Sequence, residues 1–220
     1  MSSHSKIIVF DLDGTITQRD TYLPFLFGFL LRKPWRVFRL IGLPFAVVMH
    51  LAGLRNNTWL KKVFLKAFMK GLTQQQLNSW VESFSNKIMH QGLRDGAVAE
   101  LQKHIQAGSC VLLVSASLGI YVHRIGEKLG VHATLCTEAE FDDNGRITGR
   151  LATDNCYGQE KISRLESWLK IHGGESVAIA YSDHHSDIPL LNYAGVGVAV
   201  SPSKKLADII HTNQLKLVHW

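Results

Sequence analysis

With 220 residues, 46% of them apolar and 19% charged, the chain has the composition of one globular domain, or one carrying a modest insertion. That composition excludes disordered, collagen-like and solenoid architectures. A net charge of +6 suits an anionic substrate, an anionic membrane or nucleic acid alike, or simple solubility, and of these partners no nucleic acid is expected.

Met1 to Lys6 is polar and runs straight into Ile7-Ile8-Val9-Phe10, too short for a secretory signal, so a leaderless start is expected. KIIVFD (6–11) reads as a buried parallel strand. Residues 21–90 then show only helical spacing, over 21–31, 35–53, 57–70 and 74–90, with Thr73 and Gln76 as a capping box. Strand–helix alternation resumes with a helix capped by Asp95 and stopped at Gly108, then the strand Cys110–Ser115 and a helix over 118–129 ended by Gly130. A strand over 132–137 is followed by a hairpin over 140–151 turning at Asp143-Asn144-Gly145. Then come a helix over 158–172, the strand Val177–Tyr181, a short helix over 188–193, the strand Val196–Val200, a helix over 203–210 and a strand over 215–219. This pattern predicts an α/β fold with a doubly wound parallel sheet. The core spans 1–16 and 91–220, and a helical insertion spans 17–90.

Three scattered cysteines (Cys110, Cys136, Cys156) read as reduced thiols of a cytoplasmic protein. The apolar region Leu23 to Leu54 is broken by Arg32, Lys33, Pro34, Arg36 and Arg39, and its longest uncharged run, Leu40–Leu54, has fifteen residues. A spanning helix needs about 20, so no transmembrane segment is expected.

Four polar clusters follow strands or start helices, at the edge where such sheets bind ligands. Asp11-Leu12-Asp13-Gly14-Thr15 turns two carboxylates toward one point, or is a solvated acidic turn. Ser115-Ala116-Ser117 suits an anion, or simple helix capping. Lys161 lies inside a helix, where a lone lysine ordinarily faces solvent. Ser182-Asp183-His184-His185-Ser186-Asp187 carries two acids at i and i+4. Its adjacent histidines tempt a zinc reading, but the ligand spacing does not support one, and they read as loop residues.

In this order, FDLDGTIT, VSAS, Lys161 and YSDHHSDIPLL resemble the four motifs of the haloacid dehalogenase superfamily of aspartate-nucleophile phosphatases. The helical insertion resembles the cap of its phosphoserine-phosphatase-like branch, subfamily IB. The resemblance implies a Mg²⁺-dependent phosphomonoesterase with Asp11 as nucleophile and Asp13 as general acid/base. It implies metal ligation by Asp11, Asp183 and the carbonyl of Asp13, and phosphate binding by Ser115, Lys161 and the N–H groups of Leu12 and Ala116. Asp187, with Ser186, is expected to orient Lys161 or the metal loop. Asp20 stands where relatives place an acid that reads substrate, and it could equally cap the following helix. Ser182 stands where relatives often carry Gly.

A small phosphorylated metabolite resembling phosphoserine is the default substrate. The alternative is a lipid phosphatase. The segment 23–55 is similar to the cap of bacterial phosphatidylglycerophosphate phosphatases, and an interfacial cap would make peripheral contact with an inner membrane. A remoter reading is a phosphorylated switch module without turnover, against which stand the cap and the placement of Asp13.

Overall fold

The computed structural model describes residues 6–220. The expected leaderless start, and the first five residues assigned to the core, lie outside them. The apolar runs read from the sequence become strands β1 (Ile7–Phe10), β2 (Cys110–Leu118), β3 (Ala133–Thr137), β6 (Val177–Ser182), β7 (Val196–Val200) and β8 (Lys216–Val218). They form one sheet in the order β3-β2-β1-β6-β7-β8, parallel at every pairing. The central strand β1 is buried at all four positions, as a strand covered on both faces must be. The remaining two strands, β4 (Ala139–Phe141) and β5 (Ile147–Leu151), pair antiparallel as the expected hairpin. Asp142 Oδ1 accepts from the N–H groups of Asn144 and Arg146 to close its turn.

Alternation along β1 and β2 divides the core. Ile8, Phe10, Val111 and Leu113 face one side, with helices α5 (Asp95–Gln106) and α6 (Gly119–Leu129) and the helical insertion. Val9, Leu112 and Val114 face the other, with α7 (Gln159–His172) and α8 (Ile188–Tyr193). Each such fully buried aliphatic side chain contributes about 1.5–3 kcal/mol. A last short helix, α9, spans Lys204–Ala207.

Between Tyr22 and Gln91 every named element is helical: α1 (Tyr22–Arg32), a 3₁₀ helix (Pro34–Leu40), α2 (Leu43–Leu51), α3 (Asn57–Met69) and α4 (Gln74–Gln91). Thr73 and Gln76 form the anticipated capping box, and Asn56 caps α3 by accepting from Trp59 N at 2.8 Å. Two expectations need correction. The stretch 35–53 is not one helix, because Pro34 and Pro44 each fit only a first helical turn, so the chain breaks into the 3₁₀ helix and α2. Asp95 is the first residue of α5 rather than its cap, and the N-cap position belongs to Arg94. The Arg94 guanidinium is instead spent on two carbonyls, Gly14 O at 3.1 Å and Trp220 O at 2.7 Å. No helix among the described residues is long and apolar enough to cross a membrane.

Candidate active site

Strands β1, β2 and β6 deliver three of the four polar clusters to one edge of the sheet, and α7 brings Lys161 beneath them. They form part of a cavity of about 890 Å³ between the sheet edge and the insertion. Asp11 follows β1 directly, and its N–H donates to Tyr181 O at 3.0 Å. The chain then turns sharply at Gly14, where φ is +79°. A Cβ there would fall 2.3 Å from Asp183 Oδ2, so only glycine lets the two loops approach.

Lys161 is buried, and its ammonium donates to Asp11 Oδ1 and to Asp187 Oδ2, each at 2.6 Å. Burial works against that charge, but Asp11 and Asp187 outweigh it and hold the lysine above its ordinary range. For Asp11, burial pushes the carboxyl up while Lys161 opposes it, and Asp187, Asp183 and Asp13 add to the rise. The close approach of ammonium and carboxylate favours the charged form of each against the cost of burial. Asp187 is fixed further by Ser182 Oγ at 2.7 Å and lies 3.5 Å from Ser186 Oγ.

Thr15 joins the first and fourth clusters. Its hydroxyl lies 3.1 Å from Asp11 Oδ2 and 3.3 Å from Asp183 Oδ1, and it accepts from Asp183 N at 2.9 Å. Asp183 has no lysine or arginine within ion-pair distance among the described residues, and burial and Asp187 push its carboxyl up to about 6. Two of the three carboxylates therefore share one ammonium, and the third has none. An all-oxygen donor set with surplus negative charge fits a hard divalent cation.

Asp13 points the other way along the cavity. Its Oδ1 accepts from Thr21 N at 2.7 Å and Thr21 Oγ at 2.5 Å, and its Oδ2 from Ser117 Oγ at 2.6 Å. The second cluster divides its work. Ser115 is fully buried, accepts from Ser117 N at 3.0 Å and lies 3.5 Å from Asp13 Oδ2, whereas Ala116 and Ser117 line the cavity. Leu12 is buried, with its carbonyl accepting from Thr17. Asp20 Oδ1 accepts from Tyr22 N at 3.0 Å and Leu23 N at 3.3 Å, so it caps α1 while also lining the cavity. The rings of His184 and His185 lie 4.2 Å apart, tilted by 49°, and His184 caps the turn over Ser186.

Lys61 of α3 was not anticipated. Buried at the cavity wall, its ammonium donates to Ala116 O at 2.5 Å and Asn155 Oδ1 at 2.6 Å. Burial draws it down to about 8 against the pull of Asp13. It ties the insertion to the C-terminal end of β2 and to the segment between β5 and α7. A lysine in an amphipathic helix carries no local sign of such a role. Ser117 and Thr15 were also passed over, although both lie inside the motifs already singled out.

The family model for haloacid dehalogenase-like hydrolases matches residues 8–192. The chain belongs to that family. It is 28% identical over 200 residues to Protein CicA of Caulobacter vibrioides (strain NA1000 / CB15N), covering 88% of this chain and 85% of that one. It is 29% identical over 205 residues to phosphoserine phosphatase SerB1 of Mycobacterium tuberculosis (strain ATCC 25618 / H37Rv), covering 91% of this chain and 66% of that one. The crystal structure of a protein with unknown function from Bordetella pertussis Tohama I shares the fold, with a TM-score of 0.83 at 24% identity over 98% of this chain and 99% of that one. The haloacid dehalogenase-like chain is thus an enzyme, a hydrolase of the phosphatase type, with its four motifs at one sheet edge.

Proposed function

We propose that this hydrolase is a Mg²⁺-dependent phosphomonoesterase working through an aspartyl phosphate on Asp11. The observation that carries the reading is Lys161 between Asp11 and Asp187, with Asp183 joined to Asp11 through Thr15 and Asp13 held by Thr21 and Ser117. Phosphate esters are anionic and repel nucleophiles, so the site must neutralise charge before attack. A divalent cation held by Asp11, Asp183 and the carbonyl of Asp13 supplies that charge when bound.

Asp11 attacks phosphorus in line; the new bond joins its carboxylate oxygen to phosphorus as the ester P–O bond breaks. Asp13 gives its proton to the departing alkoxide. It then takes one from the water that attacks the aspartyl phosphate, freeing inorganic phosphate and Asp11. Lys161, Ser115 and the N–H groups of Leu12 and Ala116 hold the transferring oxygens. Asp187, with Ser186, keeps Lys161 in position. The division into a core (1–16, 91–220) and a helical cap (17–90) belongs to this reading, with the cap enclosing substrate over the motifs, Asp20 at its entrance and Lys61 in its wall.

A small phosphorylated metabolite of the phosphoserine kind is the default substrate, in keeping with the name of one relative. The apolar cap side of the cavity, with Leu23, Val47, Leu51, Leu60 and Phe64, favours a second reading in which a lipid phosphate enters. A screen with Mg²⁺ over phospho-amino acids, sugar phosphates, nucleotides and phosphatidylglycerophosphate tests both. Turnover stopped by EDTA and restored by Mg²⁺ is expected, and no turnover of any phosphomonoester would overturn the proposal.

A further inference from the structure

We propose that the outer face of Leu23–Leu54 is a docking surface for an anionic lipid bilayer, with the mouth of the catalytic cavity at its border. The proposal rests on the phosphatase reading only for what the cavity does once docked.

Eleven of the fifteen large apolar side chains exposed among the described residues fall in this segment. Leu31, Phe38 and Ile41 are 84%, 75% and 79% exposed. The 3₁₀ helix buries none of its seven residues, and α2 buries only Leu43 and Ala46, turning Phe45, Val48 and Leu51 outward. Soluble monomers seldom leave so continuous an apolar stretch uncovered. A nine-residue α2 is only about 14 Å long, far short of the hydrocarbon thickness, so it suits lying in an interface rather than crossing one.

Charge identifies the occupant. Residues 21–81 contain nine lysines and arginines and no aspartate or glutamate, whereas the rest of the chain has fifteen cations and eighteen carboxylates. None of the nine enters an ion pair among the described residues; Lys61 is buried at the cavity wall, and the other eight are exposed or half-buried. Arg32 and Lys33 end α1, Arg36 and Arg39 lie in the 3₁₀ helix, and Arg55 follows α2, so the cations flank the apolar face. Lys33 lies 5.0 Å from the ring of the exposed Trp35, an amphipathic pair of the sort found at headgroup depth. A second copy of the chain would set cations against cations, whereas an anionic bilayer complements both the charge and the apolar surface. Leu23 and Leu51 belong to the exposed face and line the cavity, so the two surfaces are continuous.

The test is co-sedimentation of the full chain with phosphatidylcholine vesicles and with vesicles containing about one third phosphatidylglycerol. Binding is expected to the anionic vesicles, weakened about tenfold or more by molar salt. The variant Phe38→Ser/Ile41→Ser/Phe45→Ser should lose it while hydrolysing p-nitrophenyl phosphate in solution within about twofold of wild type. Lys33→Glu/Arg55→Glu, which leaves the exposed apolar side chains of the face in place, should also weaken it. Failure of the wild type to bind anionic vesicles, or binding by both variants as strong as that of the wild type, would overturn the proposal. So would self-association through this face, seen by light scattering as a dimer that the triple variant dissolves. Loss of p-nitrophenyl phosphate turnover in the wild type would count against the phosphatase reading alone, since sedimentation needs no turnover.

Discussion

Lys161 and Asp11, 150 residues apart in the chain, meet as a buried ion pair with Nζ 2.6 Å from Oδ1. The same ammonium serves Asp187, so removing it leaves buried carboxylates without their cation. Lys161→Met is expected to cost about 3–5 kcal/mol of stability and to abolish activity. Urea denaturation read by circular dichroism checks this, and an unchanged midpoint would mean that the pair contributes nothing to the fold.

Asp13→Asn should separate proton transfer from phosphoryl transfer. A p-nitrophenolate leaving group needs no protonation, so the variant should show a burst of phosphoenzyme formation in single-turnover mixing. Steady-state turnover should then fall by about a hundredfold or more, because the attacking water lacks its base. Turnover at the wild-type rate would reduce Asp13 to scaffolding around Thr21 and Ser117.

Gly14→Ala forces a side chain into φ +79° and against the Asp183 carboxylate. The left-handed conformation alone costs about 1–2 kcal/mol. Displacing Asp183 should raise the Mg²⁺ concentration for half-maximal activity by about tenfold or more. Metal titration of activity in the two proteins reads this directly, and an unshifted titration would detach Asp183 from the metal.

Lys61 gives a pH signature. Its folded pKa of about 8 lies below the ordinary 10.5, so between those values the unfolded chain binds more protons and wild-type stability rises with pH through that window. The charged form is penalised below about pH 8 by up to roughly 3 kcal/mol. Relative to wild type, Lys61→Met should therefore lose ground between pH 8 and 10. Paired urea titrations at pH 7.5 and 10 test this, and a stability difference independent of pH would show that Lys61 keeps its ordinary pKa.

The four motifs were legible because each sits within a few residues of a strand end or a helix start, where local pattern fixes position. The order of hydrophobic runs gave the parallel sheet for the same reason. What stayed hidden depends on distant partners. Lys61 acquires its role from Ala116 and Asn155, and Arg94 takes the cap position because its side chain serves Gly14 and Trp220. The break within 35–53 was present in Pro34 and Pro44, but continuous apolar spacing masked it.

The most direct test is to trap the enzyme during turnover. After acid quench with a phosphomonoester and Mg²⁺, peptide mass spectrometry should find one phosphoryl group on Asp11, labile to hydroxylamine as an acyl phosphate is. Asp11→Asn should carry none and lose at least about a thousandfold in rate, roughly 4 kcal/mol of barrier. A phosphoryl group on another residue, or near-wild-type turnover by Asp11→Asn, would contradict the account.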